Sequence, residues 1–173
     1  MKICIAFLIA ALTSAGAIQL SPSDLDGLYF HEDDANGTVV TRYVGLMGET
    51  APKFVRRSPL AIRTPGATVD KRDTGAHCNK LAGSPNDFFT AEGGLGMFFG
   101  DNGQNFKKAI SYKFGNAVAF GCDYGKGQQY TGCQLYSDID AVDSLCGKGG
   151  AGWNAHESSK SSYGRTLLSE PFC

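Results

Sequence analysis

The sequence is poor in histidine, in net charge and in residues spaced to hold a metal ion. It has three histidines, and its 16 basic and 17 acidic residues leave a formal net charge of −1. A charge this close to zero argues against nucleic acid or an anionic membrane as a partner. No C-x-x-C occurs, and Asp138, Asp140 and Asp143 lack the glycine and terminal glutamate of a calcium-binding EF-hand loop. We therefore expect no metal site and no cofactor.

Long apolar runs are also absent, except at the N-terminus. Residues 3–12 are almost wholly apolar and follow Lys2, which is typical of the hydrophobic region of a signal peptide. This run is too short for a transmembrane helix, which needs about 20 apolar residues. Small residues at Ala15 and Ala17 fit a signal-peptidase site. We predict a signal peptide over residues 1–17, cut after Ala17, and a secreted, extracellular protein without a membrane span.

Cysteine is missing from residues 18–72, while residues 73–173 contain five. The cysteine-free part holds four of the six prolines, and its last stretch lacks the periodicity of a helix or strand. It closes on the pair Lys71-Arg72, and an exposed basic pair in an extended chain is what a kexin-type processing protease cleaves. The sequence predicts a poorly ordered pro-segment over residues 18–72 and a mature cysteine-bearing domain over residues 73–173.

Two further features belong to the predicted pro-segment, a second basic pair and a glycosylation sequon. Arg56-Arg57 is a secondary cleavage candidate, but Pro59 lies two residues beyond it and restricts the extended conformation that cleavage needs. Asn36 starts an Asn-Gly-Thr acceptor for N-glycosylation in a secreted chain. Asn-Gly also favours the type I′ turn of a β-hairpin, so the apolar residues on either side are expected to pair as two strands.

Five cysteines follow the predicted cleavage site: Cys78, Cys122, Cys133, Cys146 and Cys173. In an oxidising compartment we expect two intramolecular disulfides, which leave one thiol over. The spacing of the cysteines alone does not choose among the possible disulfide pairings. The preferred interpretation is that Cys78 and Cys173 join the two ends of the mature domain. Cys122 then pairs with Cys146 or Cys133.

Hydrophobic patterning predicts the secondary structure of the mature domain. Apolar residues at i, i+3, i+4 and i+8 after Asp101 predict a helix that ends at Gly115. Ser137 is a suitable N-cap for a second helix, which ends at Cys146. The predicted strands are residues 117–122, 151–155 and 162–168, and the predicted core pieces are Phe88-Phe89 and Met97 to Phe99. The expected fold class is α+β: a small disulfide-stabilised domain with two short helices packed on a mainly antiparallel sheet.

These motifs resemble small secreted fungal proteins. The residues that carry the resemblance are Phe106 to Ile110, Cys122, Leu145-Cys146-Gly147, Gly150 to Trp153 and Tyr163-Gly164-Arg165. Together with the signal peptide and the basic cleavage site, they look like fungal effectors of the killer-toxin-like and Ecp2-like kind. The resemblance covers residues 78–173 and implies a protein directed at a host. No catalytic signature comes with it.

Residues suited to catalysis are few. The mature domain has only His77 and His156, and no G-x-S-x-G motif or dinucleotide-binding glycine pattern occurs. This pattern favours a protein that is not an enzyme, so we assign no catalytic residue. The alternative is a cluster of His156, Glu157 and Arg165, which would form a small hydrolytic or nuclease site.

The sequence favours a secreted fungal effector or toxin, released by kexin-type cleavage, that binds a host protein or cell-surface component and promotes virulence. Its expected partners are the processing protease and an unknown host target. Two alternatives stay open. One is a killer-toxin-like antimicrobial protein, and the other is a small secreted hydrolase or ribonuclease that its pro-segment holds inactive.

Overall fold

The computed structural model describes residues 17–47 and 74–173 of the chain. Three predictions concern residues outside this part and stay predictions. They fall on the signal peptide, apart from Ala17, and on the basic pairs Arg56-Arg57 and Lys71-Arg72. Within the described residues, no helix is long and apolar enough to cross a membrane.

Nine strands and two helices form the described part of the chain. The strands are β1 (Gly27–Asp33), β2 (Val39–Gly45), β3 (Gly75–Ala82), β4 (Gln104–Phe106), β5 (Ala109–Phe114), β6 (Ala117–Asp123), β7 (Gln128–Tyr130), β8 (Gly150–His156) and β9 (Ser161–Leu167). The helices are α1 (Pro85–Phe99) and α2 (Gly132–Cys146).

Seven strands form one sheet in the order β2-β1-β5-β6-β9-β8-β3, with every neighbouring pair antiparallel. The remaining two, β4 and β7, pair in a small second sheet. The predicted α+β class, with two helices on a mainly antiparallel sheet, is confirmed. The strands predicted at residues 117–122, 151–155 and 162–168 are confirmed as β6, β8 and β9.

The seven-stranded sheet is covered on both faces, which we name by what covers them. The helix face lies under α1 and α2, where Leu28, Ile110 and Tyr163 are buried in one cluster with the helices. The terminal face lies under the two chain ends, where Ile18 and Phe172 form an isolated antiparallel bridge and pack on the sheet. Because both faces are covered, the middle strands β5 and β6 are buried along almost their whole length.

Residues 104–106 and 109–114 form strands, so the helix predicted between Asp101 and Gly115 is wrong. The backbone of Lys108 turns with a φ of 67° between β4 and β5. Side chains then alternate along β5, with Ile110 on the helix face and its neighbour Ser111 on the terminal face. Burial of both faces removes the polar positions that would reveal a strand, and the remaining apolar spacing imitates a helix.

Helix α1 contains both predicted core pieces and the glycine-rich residues 93–96 between them. Phe88 and Phe99 are buried as predicted, but Phe89 is 76% exposed and Met97 is 63% exposed, so these two do not belong to the core.

Ser84 caps helix α1 by accepting a hydrogen bond from the Asp87 amide at 3.3 Å, and Pro85 opens the first turn. A glycine weakens a helix by about 1 kcal/mol relative to alanine. Here a Cβ on Gly94 would lie 2.4 Å from the ring of Tyr112 on β5. Close packing against the sheet therefore outweighs the low helix propensity.

Helix α2 begins earlier than predicted. Its N-cap is Thr131 rather than Ser137, because Thr131 and Gln134 form a reciprocal capping box. The helix ends where it was expected, with Gly147 as its C-cap. The earlier start moves Asp138 out of the first turn, so this carboxylate does not cap the helix and instead contacts strand β8.

Residues 17–47 belong to the same sheet as the cysteine-bearing part of the chain. β1 and β2 form the hairpin expected from the Asn-Gly turn, and β1 pairs on its other side with β5. His31 of β1 is fully buried, and Asp26 forms an ion pair with Lys113 at 2.6 Å. The poor order that we predicted for residues 18–72 therefore does not extend to residues 17–47.

The disulfides are Cys78–Cys146 and Cys122–Cys173, and Cys133 is free and exposed. Two intramolecular bridges and one leftover thiol are therefore confirmed. The preferred pairing is wrong, because Cys78 does not join Cys173, and Cys122 joins neither Cys146 nor Cys133. One bridge ties the edge strand β3 to the end of α2, beside the helix face. The other ties β6 to the C-terminus over the terminal face.

Candidate functional site

The side chain of Arg165 is buried on the helix face and joins three elements. Its guanidinium donates to Glu92 of α1 at 2.8 Å and to Asp143 of α2 at 2.5 Å. It also donates to the carbonyl oxygens of Gly147 and Gly150, both at 2.8 Å. Only 2% of the residue is exposed. From β9, this arginine holds both helices against the sheet.

These contacts assign Arg165 to the core. Burial raises the pKa of Glu92, and the hydrogen bond and the charge of Arg165 oppose that shift. The predicted cluster of His156, Glu157 and Arg165 is not formed, because the arginine is bound by the helices and Glu157 is exposed. A buried arginine that pairs with two carboxylates is not available to a substrate.

His156 instead pairs with Asp138, which is 4% exposed. The carboxylate accepts hydrogen bonds from the Tyr130 hydroxyl, from the Asn154 amide at 2.8 Å and from His156 Nε2 at 3.0 Å. The ring of Tyr130 stacks on Tyr163, with centroids 3.6 Å apart. Burial, and then the hydrogen bond to Asp138, raise the pKa of Tyr130, so its hydroxyl stays protonated and donates. A fixed carboxylate thus orients one imidazole.

The Asp138–His156 pair has part of the geometry of a general base. The side chain of His156 is 33% exposed. Its Nε2 contacts the carboxylate, and its Nδ1 makes no hydrogen bond to a described residue. An imidazole that donates from Nε2 presents Nδ1 as a proton acceptor. No described hydroxyl or thiol hydrogen-bonds to this nitrogen, so the pair has no nucleophile of its own there.

The three aspartates spaced along α2 do not converge. Asp138 faces His156, Asp143 faces Arg165, and Asp140 is exposed. Helical spacing directs the three carboxylates to different sides of α2. Across the described ranges, no group of three or more His, Cys, Asp or Glu side chains is arranged to hold a metal ion.

On the terminal face, one row of paired residues crosses all seven strands. Read from β2 to β3, the row is Tyr43, Tyr29, Ser111, Phe120, Gly164, Trp153 and His77. Residues directly paired in antiparallel strands place their side chains on the same face. All members except Ser111 and Gly164 carry rings. Gly164 lets β8 approach closely, because a Cβ there would lie 2.5 Å from the Cα of Trp153.

A cavity of about 170 Å³ is lined by Phe120, Trp153 and Phe172, and we call it the aromatic cavity. Phe172 stacks on Phe120, with centroids 5.3 Å apart, and His77 stacks on Trp153 at 5.4 Å. The disulfide at Cys173 fixes the C-terminal segment beside the cavity. Polar residues in its lining include Asn79, Tyr124, Ser162, Thr166 and Glu170.

One polar group in the lining has no partner. Thr166 is 3% exposed, and its hydroxyl makes no hydrogen bond to a described residue. It lies two positions from Gly164 on β9, so both residues are on the terminal face. A buried hydroxyl left unpaired costs about 1–3 kcal/mol. The hydroxyl itself has almost no accessible surface, so it lies behind the wall of the aromatic cavity.

The aromatic cavity was not predicted from the sequence. Phe120, Gly164 and Trp153 come from three strands, and only the register of the sheet brings them together. The one available signal was that the single tryptophan of the chain stands in a predicted strand. The glycosylation candidate Asn36 is exposed in the turn between β1 and β2, where a sequon is accessible.

Comparisons with known proteins find no match for this chain. No protein-family model, no curated protein and no solved structure matches it. The resemblance to killer-toxin-like and Ecp2-like effectors therefore stays a prediction.

Proposed function

We propose that this protein is a secreted fungal effector or toxin that binds a host protein or cell-surface component through the aromatic cavity. The observation that carries the proposal is the cavity itself, in which Phe120 and Trp153 form aromatic walls and Asn79 and Glu170 are polar lining residues. Ligand sites typically combine apolar walls with a few polar groups. Trp153 is partly exposed, so solvent reaches the cavity.

Secretion is supported by the disulfides and by the position of the predicted signal cut. Both bridges suit an oxidising compartment, such as the secretory pathway. Cleavage after Ala17 would make Ile18 the first residue and its nitrogen an ammonium group, and this nitrogen donates to the carbonyl oxygen of Phe172 at 2.9 Å. The residue that directly follows the predicted cut is thus part of the fold.

Processing by a kexin-type protease after Arg72 is the second part of the proposal. β1 lies between β2 and β5, and its removal would expose the edge of β5 and the buried Ser111 hydroxyl, which would lose its contact with His31. We therefore expect cleavage to yield two associated chains rather than to release residues 18–47. Residues 18–47 would then stay paired with the sheet, and the terminal face would stay covered.

The test is binding to cells by the secreted, processed protein. Labelled protein should bind plant leaf cells saturably, and Trp153→Ala should weaken binding at least tenfold because it removes a wall of the cavity. Phe89→Ala is the matched control, since that ring is 76% exposed on α1, away from the cavity. Equal binding by Trp153→Ala would overturn the assignment of the site. Binding to competing fungi or bacteria with growth inhibition, and none to plant cells, would favour the killer-toxin-like alternative.

A small secreted hydrolase or ribonuclease is the second candidate, and the Asp138–His156 pair favours it. Nδ1 of His156 would act as the base toward a substrate that brings its own nucleophile, such as the 2′-hydroxyl of RNA. Turnover of RNA, glycan or peptide by the processed protein, lost in His156→Ala and kept in His77→Ala, would establish this candidate and displace the binding proposal.

A further inference from the structure

We propose that His31 is an acid-sensitive switch, which keeps residues 18–47 bound to the cleaved protein at neutral pH and releases them in acid. The inference rests on the proposed cleavage after Arg72, because only a cut chain allows these residues to leave. They contain no cysteine, so no disulfide ties them to the rest of the molecule. Their attachment after cleavage therefore depends on non-covalent contacts alone.

Most of that attachment is one strand ladder, which we call the β1–β5 joint. Five residues of β1, from Gly27 to His31, pair with β5. Strand β2 lies at the edge of the sheet and pairs only with β1. Near the start of the segment, Ile18 adds a bridge to Phe172. A change that weakens the β1–β5 joint therefore acts on the main link between the two chains.

The imidazole of His31 is fully buried at the end of this joint. Its Nδ1 lies 2.9 Å from the Thr41 hydroxyl of β2, and its Nε2 lies 2.8 Å from the Ser111 hydroxyl of β5. The ring of Phe172 packs against it edge-on, with centroids 5.6 Å apart. The imidazole is thus enclosed by neutral groups from β2, β5 and the C-terminal segment.

No carboxylate among the described residues contacts this ring. The charged or titratable side chains on the same face of the surrounding elements are Tyr29 and Asp33 of β1, Tyr43 of β2, Lys113 of β5 and Glu170 of the C-terminal segment. Lys113 pairs with Asp26, and Asp33 pairs with Lys108. A proton on the imidazole would therefore add a buried charge without a counter-charge, and burial alone lowers the pKa of His31 to about 3.

Protonation of His31 favours release. In the separated chain the imidazole has its ordinary pKa near 6.5, so it binds a proton that the joined state excludes. Below pH 6.5, each unit of acidification therefore weakens the association about tenfold, until the pH approaches the pKa of the buried ring. Between pH 7.5 and pH 4.5, the dissociation constant of the two chains should rise about 50-fold to 100-fold.

Release changes the surface of the larger chain. Strand β5 loses its neighbour and becomes an edge strand, whose open backbone groups are free to pair with another strand. The Ser111 hydroxyl, now buried against His31, becomes exposed. The protonation state of one imidazole therefore controls whether this part of the sheet is closed or open.

The experiment measures the association of the two chains as a function of pH. A site for a sequence-specific protease replaces residues 68–73, so that the cut does not depend on a kexin-type protease. A dye on the exposed thiol of Cys133 reports sedimentation of the cut protein over a dilution series from pH 7.5 to pH 4.5. The dissociation constant should rise as stated for the wild type and should lose this rise in His31→Gln, which keeps hydrogen-bonding groups but does not titrate.

Asp33→Asn is the matched control, because it changes an exposed titratable side chain on the same strand. It should keep the rise in the dissociation constant. An equal dissociation constant at pH 7.5 and pH 4.5, or the same rise in His31→Gln as in the wild type, would overturn the switch.

A second measurement decides the question if His31→Gln does not assemble. In the uncut protein, NMR shifts of the imidazole nitrogens should show a neutral ring down to pH 4.5, and a protonation midpoint above pH 5 would overturn the switch. Resistance of the natural chain to a kexin-type protease would contradict the proposed processing instead, so the two failures are distinguishable.

Discussion

The two faces of the sheet are both covered, but by different means. On the helix face, charged groups meet inside the protein, as Arg165 does with Glu92 and Asp143. On the terminal face, the chain ends cover aromatic rings, and Thr166 keeps a hydroxyl without a partner among the described residues. The aromatic cavity lies on this face, between the rings and the C-terminal segment. We assign stability chiefly to the helix face and propose binding at the terminal face.

The largest expected effect tests the helix face. Arg165→Met should lower the free energy of unfolding by about 3–5 kcal/mol, because it leaves the carboxylates of Glu92 and Asp143 without their cation in a buried site. Urea unfolding followed by circular dichroism measures the loss. Lys148→Met removes an exposed cation near the same helix end and is the control. A loss for Arg165→Met no larger than that of the control would contradict the structural role.

One disulfide lies beside the helix face and the other over the terminal face, and removal of either should lower the free energy of unfolding by a similar amount. Their sequence separations of 68 and 51 residues predict about 4 kcal/mol for the removal of either bridge by the chain-entropy model. The consequences should differ, because only the pair Cys122→Ala/Cys173→Ala frees the C-terminal segment from the terminal face. Carboxypeptidase should then trim past Phe172 in this variant, but not in Cys78→Ala/Cys146→Ala at equal folded fraction. Equal trimming would show that the segment is held without its disulfide.

His31 makes the terminal face sensitive to acid. Its burial lowers the pKa to about 3, while the unfolded chain has a pKa near 6.5. Between these values only the unfolded state binds the proton, so the free energy of unfolding falls by about 1.4 kcal/mol per pH unit as pH decreases. His31→Gln should remove this part of the slope between pH 6 and pH 4. An unchanged slope would mean that the imidazole is protonated in the folded protein.

The helix face was easier to predict from sequence than the terminal face. The strand β6 and the end of α2 follow from a continuous apolar run and a C-terminal glycine. Helix α1 was not predicted, because glycines such as Gly94 lower its helix propensity and only packing on Tyr112 compensates for them. The aromatic cavity was not predicted either. Neither the register that aligns Gly164 with Trp153 nor the position of the C-terminal segment over the sheet produces a local sequence pattern.

The association of the two chains after processing is the next test of the terminal face. Protein cleaved after Arg72 should elute from gel filtration as one species that contains both pieces, although no disulfide links them. Ladder hydrogen bonds on both sides of β1, the buried His31 and the ion pair of Asp26 with Lys113 hold them together. Separate elution of the pieces at micromolar concentration would contradict this. Resistance of the chain to cleavage would instead contradict the processing proposal alone.

The smallest expected effect concerns Cys133, which is exposed and belongs to neither face. Cys133→Ser should change the free energy of unfolding by less than about 0.5 kcal/mol, as is usual for exposed positions. In the processed protein, Ellman's reagent should titrate one thiol under native conditions and none in the variant. Titration of no thiol in the wild type, together with a reducible dimer that the variant lacks, would show instead that this cysteine joins two molecules. The contrast with the loss of about 4 kcal/mol at the bonded cysteines follows from the covalent cross-link that each disulfide supplies and Cys133 lacks.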